Sequence, residues 1–145
     1  MALIVSSGFA HVRLTVTDIA RSKAFYDQVF GWPAVIDQAA NVDDPGVRES
    51  PEQFYGGTVY QTPSGMLFGL RPVAPSSQRF DAEHTGLDHI SFQVESRADL
   101  VTAHQKLEDA GIPHGEVTDL ADAGLAILSF SDPDGVHLEL SASLS

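Results

Sequence analysis

The chain has 145 residues, a formal net charge of −12 and no cysteine. This length suits one domain with its own core, and the lack of cysteine excludes disulfides and thiolate ligands. Eight basic residues against twenty acidic ones argue against binding to nucleic acid or to an anionic membrane. With no long apolar run and no basic leader, we expect a cytoplasmic protein whose partner is a small molecule or another copy of itself.

The first half of the chain begins with an alternating pattern. Residues 9–17 place Val12, Leu14 and Val16 on one face and polar side chains on the other, which predicts a half-buried strand. Asp18 is a predicted N-cap for a helix that ends at Gly31. Further strands are predicted at 34–37, 57–61 and 66–71, with a long loop over 39–54 as a candidate lid and a linker over 73–85.

The second half repeats this order of elements. Residues 87–94 alternate in the same way, and Ser96 with Asp99 forms a predicted capping box for a helix that ends at Gly111. Three more strands are predicted near 114–117, 124–131 and 136–141. The chain therefore consists of two tandem βαβββ modules, at about 9–72 and 87–142, within one domain spanning 1–145. Such modules predict an α+β fold with a curved mixed sheet surface and the helices on its outer face.

The repeat maps residues of one module onto the other. His11 and His89 occupy equivalent strand positions, and Glu139 falls opposite Gly69. The alternation places His11, His89 and Glu139 on the strand faces turned away from the helices. Two neutral imidazoles and one carboxylate form a facial triad for a divalent metal, with positions left open for a substrate and, with Fe(II), for dioxygen. The alternative for each histidine is that it forms hydrogen bonds and binds no metal. We interpret His84, His104 and His114 in this way.

The residues resemble those of the vicinal oxygen chelate superfamily, which includes glyoxalase I, bleomycin-resistance proteins, extradiol dioxygenases, methylmalonyl-CoA epimerases and fosfomycin-resistance thiol transferases. The resemblance extends from Phe9 to Ala142, and its most specific parts are His11 with the helix that leads to Phe30-Gly31-Trp32, the segment 89–94, and the segment 132–140. It implies paired βαβββ modules that close into a metal-holding cup, and frequent homodimers.

Carried over position by position, the metal ligands implied by the resemblance are His11, His89 and Glu139, with Glu139 also catalytic. The fourth ligand position of glyoxalase I and the epimerases falls on Gly69, which has no side chain to donate. The three-ligand pattern is more similar to that of extradiol dioxygenases and fosfomycin enzymes, which favours Fe²⁺ or Mn²⁺ over Zn²⁺ or Ni²⁺.

The function expected from these residues is a metalloenzyme that chelates a small oxygenated substrate, with chemistry of the oxygenase, ring-cleavage type. A lyase or isomerase of the glyoxalase or epimerase type is one alternative. A second is a non-catalytic drug- or metabolite-binding protein of the bleomycin-resistance type, and a third is a degenerate metal site kept as structure. The predicted substrate-facing residues, chosen by strand parity and by residue type, are Arg13, Thr15, Ser91, Gln93, His137 and Tyr60.

Overall fold

The computed structural model describes residues 1–145, which divide into two compact units, Met1–Gln78 and Arg79–Ser145. Each unit contains one βαβββ module and a four-stranded mixed sheet. The predicted α+β fold of two tandem modules is therefore confirmed. The helices α1 (Ile19–Val29) and α2 (Arg97–Asp109) are both too short to cross a membrane.

The sheet of the first unit has the strand order β1-β4-β3-β2. Its strands are β1 (His11–Thr15), β2 (Ala34–Asp37), β3 (Thr58–Gln61) and β4 (Leu67–Arg71). The outer strand β1 pairs with β4 in parallel, which places Arg13 opposite Gly69. The predicted loop over 39–54 contains short 3₁₀ turns at Ala39–Asn41, Val47–Glu49 and Pro51–Gly56.

The sheet of the second unit has the equivalent order β5-β8-β7-β6. Its strands are β5 (Ile90–Gln93), β6 (Thr118–Leu120), β7 (Leu125–Ser131) and β8 (His137–Ser143). The outer strand β5 pairs with β8 in parallel, and Ser91 lies opposite Glu139. In the first unit Arg13 lies opposite Gly69, and Arg13 and Ser91 are equivalent because each lies two residues after a mapped histidine. The register therefore confirms the mapping of Gly69 onto Glu139.

Alternation along the strands separates the core from the opposite face of each sheet. In β8, Leu138 and Leu140 are buried, whereas His137 is exposed and Glu139 is partly exposed. In β1, Leu14 is buried while His11, Arg13 and Thr15 are exposed. The chemistry-bearing side chains therefore lie on the faces turned away from the core, as the period of two predicts.

Both helix starts follow their sequence signals. The Asp18 carboxylate accepts a hydrogen bond from the Arg21 amide at 3.1 Å, and Ser96 and Asp99 form the complete capping box. Capping satisfies amide groups that the first helical turn leaves without partners. These caps fix where α1 and α2 begin, and hence where β1 and β5 have to end.

Two strand predictions for the second module were wrong in extent. The strand predicted over 87–94 is shorter, because β5 covers only Ile90–Gln93. The strand predicted near 114–117 is absent, since His114 forms only an isolated bridge to Phe130 and β6 lies at Thr118–Leu120.

The His114 ring lies between two hydrogen-bond acceptors, which favour its protonated form. Its side chain is 6% exposed, and its Nδ1 and Nε2 lie 2.6 Å from the Gly115 carbonyl and 2.7 Å from the Glu108 carboxylate. Both nitrogens must donate, so the Gly115 carbonyl and then Glu108 raise the pKa of His114. The neighbouring His104 ring, at 4.4 Å, is bonded to Glu116 at 3.0 Å. Both histidines are thus hydrogen-bonded, as predicted.

We expect His114 to make the stability of the protein depend on pH. A raised folded-state pKa stabilises the protein fully below the unfolded-state pKa of about 6.5, and this contribution is lost as pH rises through the folded-state pKa. Urea unfolding should therefore show a larger loss for His114→Gln at about pH 5.5 than at about pH 9. The control is His84→Gln, on an exposed ring. An equal loss at both pH values would contradict the charged pair.

Candidate functional site

The second unit contains a cavity of about 480 Å³ on the polar side of its sheet. Three of the predicted site residues line it, namely His89, His137 and Glu139. His89 directly precedes β5, and Glu139 lies in the paired strand β8, so parallel pairing brings their side chains to the same face. The cavity is also lined by Asp88, His114, Ser129 and Ser131.

Asp88 orients the imidazole of His89. The Asp88 Oδ2 atom lies 2.7 Å from His89 Nδ1, and a carboxylate can only accept, so Nδ1 carries the proton. In the neutral ring, the lone pair is then on Nε2, which faces Glu139 Oε2 at 3.8 Å. Carboxylates that fix a ligating histidine in this way are typical of metal sites.

The donor set formed by His89 and Glu139 fits a divalent cation. The Glu139 side chain is 17% exposed, and its carboxylate accepts no hydrogen bond from the protein. The 3.8 Å gap between Oε2 and His89 Nε2 is too long for a hydrogen bond, so the two atoms face each other without a bond between them. A divalent cation between these two atoms would bind both of them.

His11, the third predicted ligand, belongs to the first unit. It is exposed on β1 and lines a cavity of about 170 Å³ together with Arg13 and Phe54. No group of three or more His, Asp or Glu side chains in this single chain is arranged to hold a metal ion. The structure thus brings His89 and Glu139 together and leaves the contribution of His11 as a prediction.

Gly69 provides room for the side chain of Arg13. A Cβ atom at Gly69 would lie 3.2 to 3.5 Å from the Cγ, Cδ and Cβ atoms of Arg13. Such contacts are tighter than normal packing, so a side chain here would push the arginine away from β4. The position that resembles a fourth ligand site is therefore covered by the aliphatic stem of a cation.

The remaining predicted substrate residues differ in their surroundings. Ser91 and Gln93 are exposed on β5, where the Ser91 hydroxyl donates to Ser141 at 3.0 Å, and Thr15 is exposed on β1. His137 is exposed and contacts the Phe80 ring with a centroid distance of 5.5 Å. These positions are compatible with substrate contact, which stays a prediction for all of them.

Tyr60 lies in the core of the first unit. Its side chain is 1% exposed, and its hydroxyl donates to the Asp27 carboxylate of α1 at 2.9 Å. Burial, together with the neighbouring Asp27, raises the pKa of Tyr60. This placement ties β3 to α1 and leaves Tyr60 no surface for a substrate, so its predicted role receives no support.

Sequence reasoning missed Asp88 and the arrangement around Tyr55. Asp88 had a readable signal, because it directly precedes a proposed histidine ligand. Tyr55 had none: Phe54 and Tyr55 both adopt left-handed backbone conformations, at φ of 49° and 57°. Bulky residues rarely adopt this conformation, and it is not readable from residue type.

Comparison with known structures shows relatives of similar size and fold. A glyoxylase/bleomycin resistance protein/dioxygenase domain from Frankia sp. EAN1pec is 27% identical, with 96% of this chain and 93% of that chain covered and a TM-score of 0.75. A glyoxalase/dioxygenase from Nostoc punctiforme is 20% identical, with 99% and 98% covered and a TM-score of 0.71.

A third relative was solved with ligands. A point mutant of a fosfomycin resistance protein, FosX, from Listeria monocytogenes is complexed with Mn(II) and 1S,2S-dihydroxypropylphosphonic acid. It is 16% identical, with 96% of this chain and 94% of that chain covered and a TM-score of 0.70. No significant match was found among curated proteins. The sequence model of one family matches residues 8–140, across both modules, and the chain belongs to the Glyoxalase/Bleomycin resistance protein/Dioxygenase superfamily.

Proposed function

We propose that this protein is a metal-dependent enzyme in which His11, His89 and Glu139 hold one divalent ion. The observation that supports this most directly is the pairing of His89 with Glu139. Asp88 hydrogen-bonds to Nδ1 of His89, and the Glu139 carboxylate faces the other ring nitrogen at 3.8 Å. A histidine that ligates a metal is usually oriented by a carboxylate in this way.

We further propose Fe²⁺ or Mn²⁺ as the ion and an oxygenase type of reaction on a small oxygenated substrate. A metal with three protein ligands supplies Lewis-acid polarisation and open positions for a substrate and dioxygen. Support comes from Gly69, which offers no fourth ligand and is covered by Arg13. The Listeria relative complexed with Mn(II) supports a cation of this kind. A lyase or isomerase reaction is the alternative at the same site.

The other residues around the proposed ion would each have a separate role. Asp88 would hold His89 in the tautomer that has its lone pair on Nε2, and Glu139 would balance the charge of the cation. His137, which lines the same cavity, would contact a substrate there. Thr15, Ser91 and Gln93 would contribute polar contacts from the exposed faces of β1 and β5.

Asp88→Asn is expected to weaken metal binding about 10- to 100-fold, the range measured for partners of ligating histidines. The asparagine amide can donate to Nδ1 and thereby move the ring proton to Nε2, where it blocks the lone pair. Titration of Mn(II) into chelator-treated protein measures the effect. Asp122→Asn, on an exposed turn of the same unit, is the control, and an unchanged affinity for Asp88→Asn would contradict the role of Asp88.

Two probes test the proposed activity. Acetohydroxamate binds metals through two neighbouring oxygens, so it should change the EPR spectrum of Mn(II) bound to the wild type. With Fe(II) under air, catechol should cause oxygen uptake above that of the same Fe(II) with the His89→Ala variant if the reaction is of the oxygenase type. Metal binding without uptake on catechols would favour the lyase or isomerase alternative. Absence of metal binding, with retained binding of small molecules, would favour a sequestering protein.

A homodimer forms part of this proposal. Leu3, Ile4, Val5 and Phe9 are almost fully exposed in the single chain, which is unusual for large apolar side chains so close in sequence. We expect a second copy to cover them. Light scattering should give twice the mass of one chain for the wild type and a smaller mass after deletion of residues 1–9; a monomeric wild type would contradict the dimer.

A further inference from the structure

Two arginines of the first unit lack acidic partners in a strongly acidic chain. Lys23, Arg48 and Arg97 all form salt bridges with aspartates. Arg13 and Arg71 form none, although the chain has twenty acidic residues against eight basic ones. The Arg71 Nε atom is buried and has no hydrogen-bond partner. Because Nε is not accessible, a ligand would accept from the terminal nitrogens of this guanidinium and supply the acceptor that the protein does not.

Tyr55 brings the two guanidinium groups to one place. The Arg71 guanidinium carbon lies 4.0 Å from the centroid of the Tyr55 ring, and that of Arg13 lies 5.5 Å from it. Two like charges at one ring repel each other, which an anion between them would offset. The ring therefore positions two cations whose charges the protein itself does not neutralise.

The backbone holds Tyr55 in this position despite an unfavourable conformation. Phe54 and Tyr55 are both left-handed, and the Tyr55 amide donates to the Ser50 carbonyl at 3.0 Å. Non-glycine residues in this region concentrate at functional sites, where the surrounding structure maintains them. The turn thus presents the Tyr55 ring to the arginines and the Phe54 ring to the cavity beside His11.

The cavity beside His11 determines what the rest of the ligand must be. It measures about 170 Å³ and is lined mainly by Val12, Ile36, Phe54, Val59 and Leu67, with Arg13 as its cation. An apolar cavity of about 150 Å³ holds one benzene ring. Beside Arg71 lies a larger cavity of about 650 Å³, which Arg48 and Glu49 also line. Arg48 is occupied there by Asp43 and the Pro72 carbonyl.

We propose that Arg13 and Arg71, positioned by Tyr55, bind the carboxylate of a small substrate whose apolar body lies against Phe54. A guanidinium binds a carboxylate through two parallel hydrogen bonds, and both guanidinium groups lie within 5.5 Å of the Tyr55 ring centroid. Gly69 is part of this site, because it leaves room for the stem of Arg13. The inference that the bound carboxylate belongs to a substrate rests on the proposed function. The binding site itself lies entirely within the first unit.

The test measures binding of benzoate to metal-free wild-type protein by calorimetry, with neutral benzamide and with phenylphosphonate as comparisons. Arg13→Gln and Arg71→Gln should each weaken benzoate binding about tenfold or more, the value of one hydrogen bond to a charged group. Gly69→Val should also weaken it, although both arginines remain. Arg97→Gln makes the same change of charge in the second unit and should have no effect.

The outcomes separate this site from the proposed metal function. The proposal is supported if benzoate binds saturably, if both arginine variants weaken this binding, and if benzamide binds less tightly than benzoate. Tighter binding of phenylphosphonate than of benzoate overturns the carboxylate assignment. Equal binding by the wild type and Arg13→Gln, an equal loss in Arg97→Gln, or no benzoate binding overturns the site. Because Arg13 is exposed on β1, its variant stays informative even if Arg71→Gln fails to fold. A protein that binds benzoate but no metal overturns only the metal function.

Discussion

Replacing Glu139 with Gln is expected to weaken divalent-metal binding by at least about 100-fold, the upper end of what loss of an outer-shell partner costs. Glutamine keeps the shape of the side chain but removes the negative charge that faces His89 Nε2 at 3.8 Å. Calorimetric titration of Mn(II) into chelator-treated protein measures the change. Turnover on any substrate that needs the metal should fall with it.

The same variant separates a metal ligand from a structural residue. Because the Glu139 carboxylate accepts no hydrogen bond from the metal-free protein, the metal-free variant should lose no more than about 0.5 kcal/mol of unfolding free energy in urea. Glu95→Gln, on an exposed residue of the same unit, serves as the matched control. Wild-type affinity for Mn(II) in Glu139→Gln would show that Glu139 is not a ligand.

The methyl group that Gly57→Ala adds should be the most disruptive single methyl group for the stability of the first unit. A Cβ at Gly57 would lie 2.0 Å from the Leu70 carbonyl oxygen and 3.0 Å from that of Phe54. Both obstacles are backbone atoms, so β3 and β4 would have to separate where they begin to pair. We expect a loss of about 3 kcal/mol in unfolding free energy, the upper end for an overpacked methyl group.

Gly115→Ala is the control for Gly57→Ala. In Gly115→Ala the nearest atom to the new Cβ is 3.7 Å away, an ordinary contact, so the stability should change by less than about 0.5 kcal/mol. Because Tyr55 and Arg71 flank the strained contact, benzoate binding should fall in Gly57→Ala and persist in Gly115→Ala. Equal urea midpoints for the two variants would contradict the close approach at Gly57.

The sequence predicted the modules and the faces of the strands because both depend on short-range patterns. A strand with one buried face must alternate, so Leu14 and His11 could be assigned to opposite sides of β1 from their spacing alone. Repeat logic then placed Gly69 and Glu139 in equivalent registers. Caps at Asp18 and Ser96 were readable because each depends on residues within one helical turn.

What the sequence could not supply depends on side-chain direction and on unusual backbone. Alternation cannot show that Tyr60 directs its hydroxyl to Asp27, since that contact joins residues 33 positions apart. Nor can it reveal the left-handed turn at Tyr55, or that Gly69 leaves room for the stem of Arg13. These features need the fold, because non-local packing determines them.

We propose that His11 of the first module and His89 and Glu139 of the second hold one metal ion. Elemental analysis of protein purified without added metal or chelator tests it most directly, with His11→Ala and His89→Ala purified in parallel. About one equivalent of Fe or Mn per chain in the wild type, lost in both variants, is the predicted result. Metal retained in full by His11→Ala, or a wild type that stays empty after reconstitution under reducing conditions, would contradict the claim.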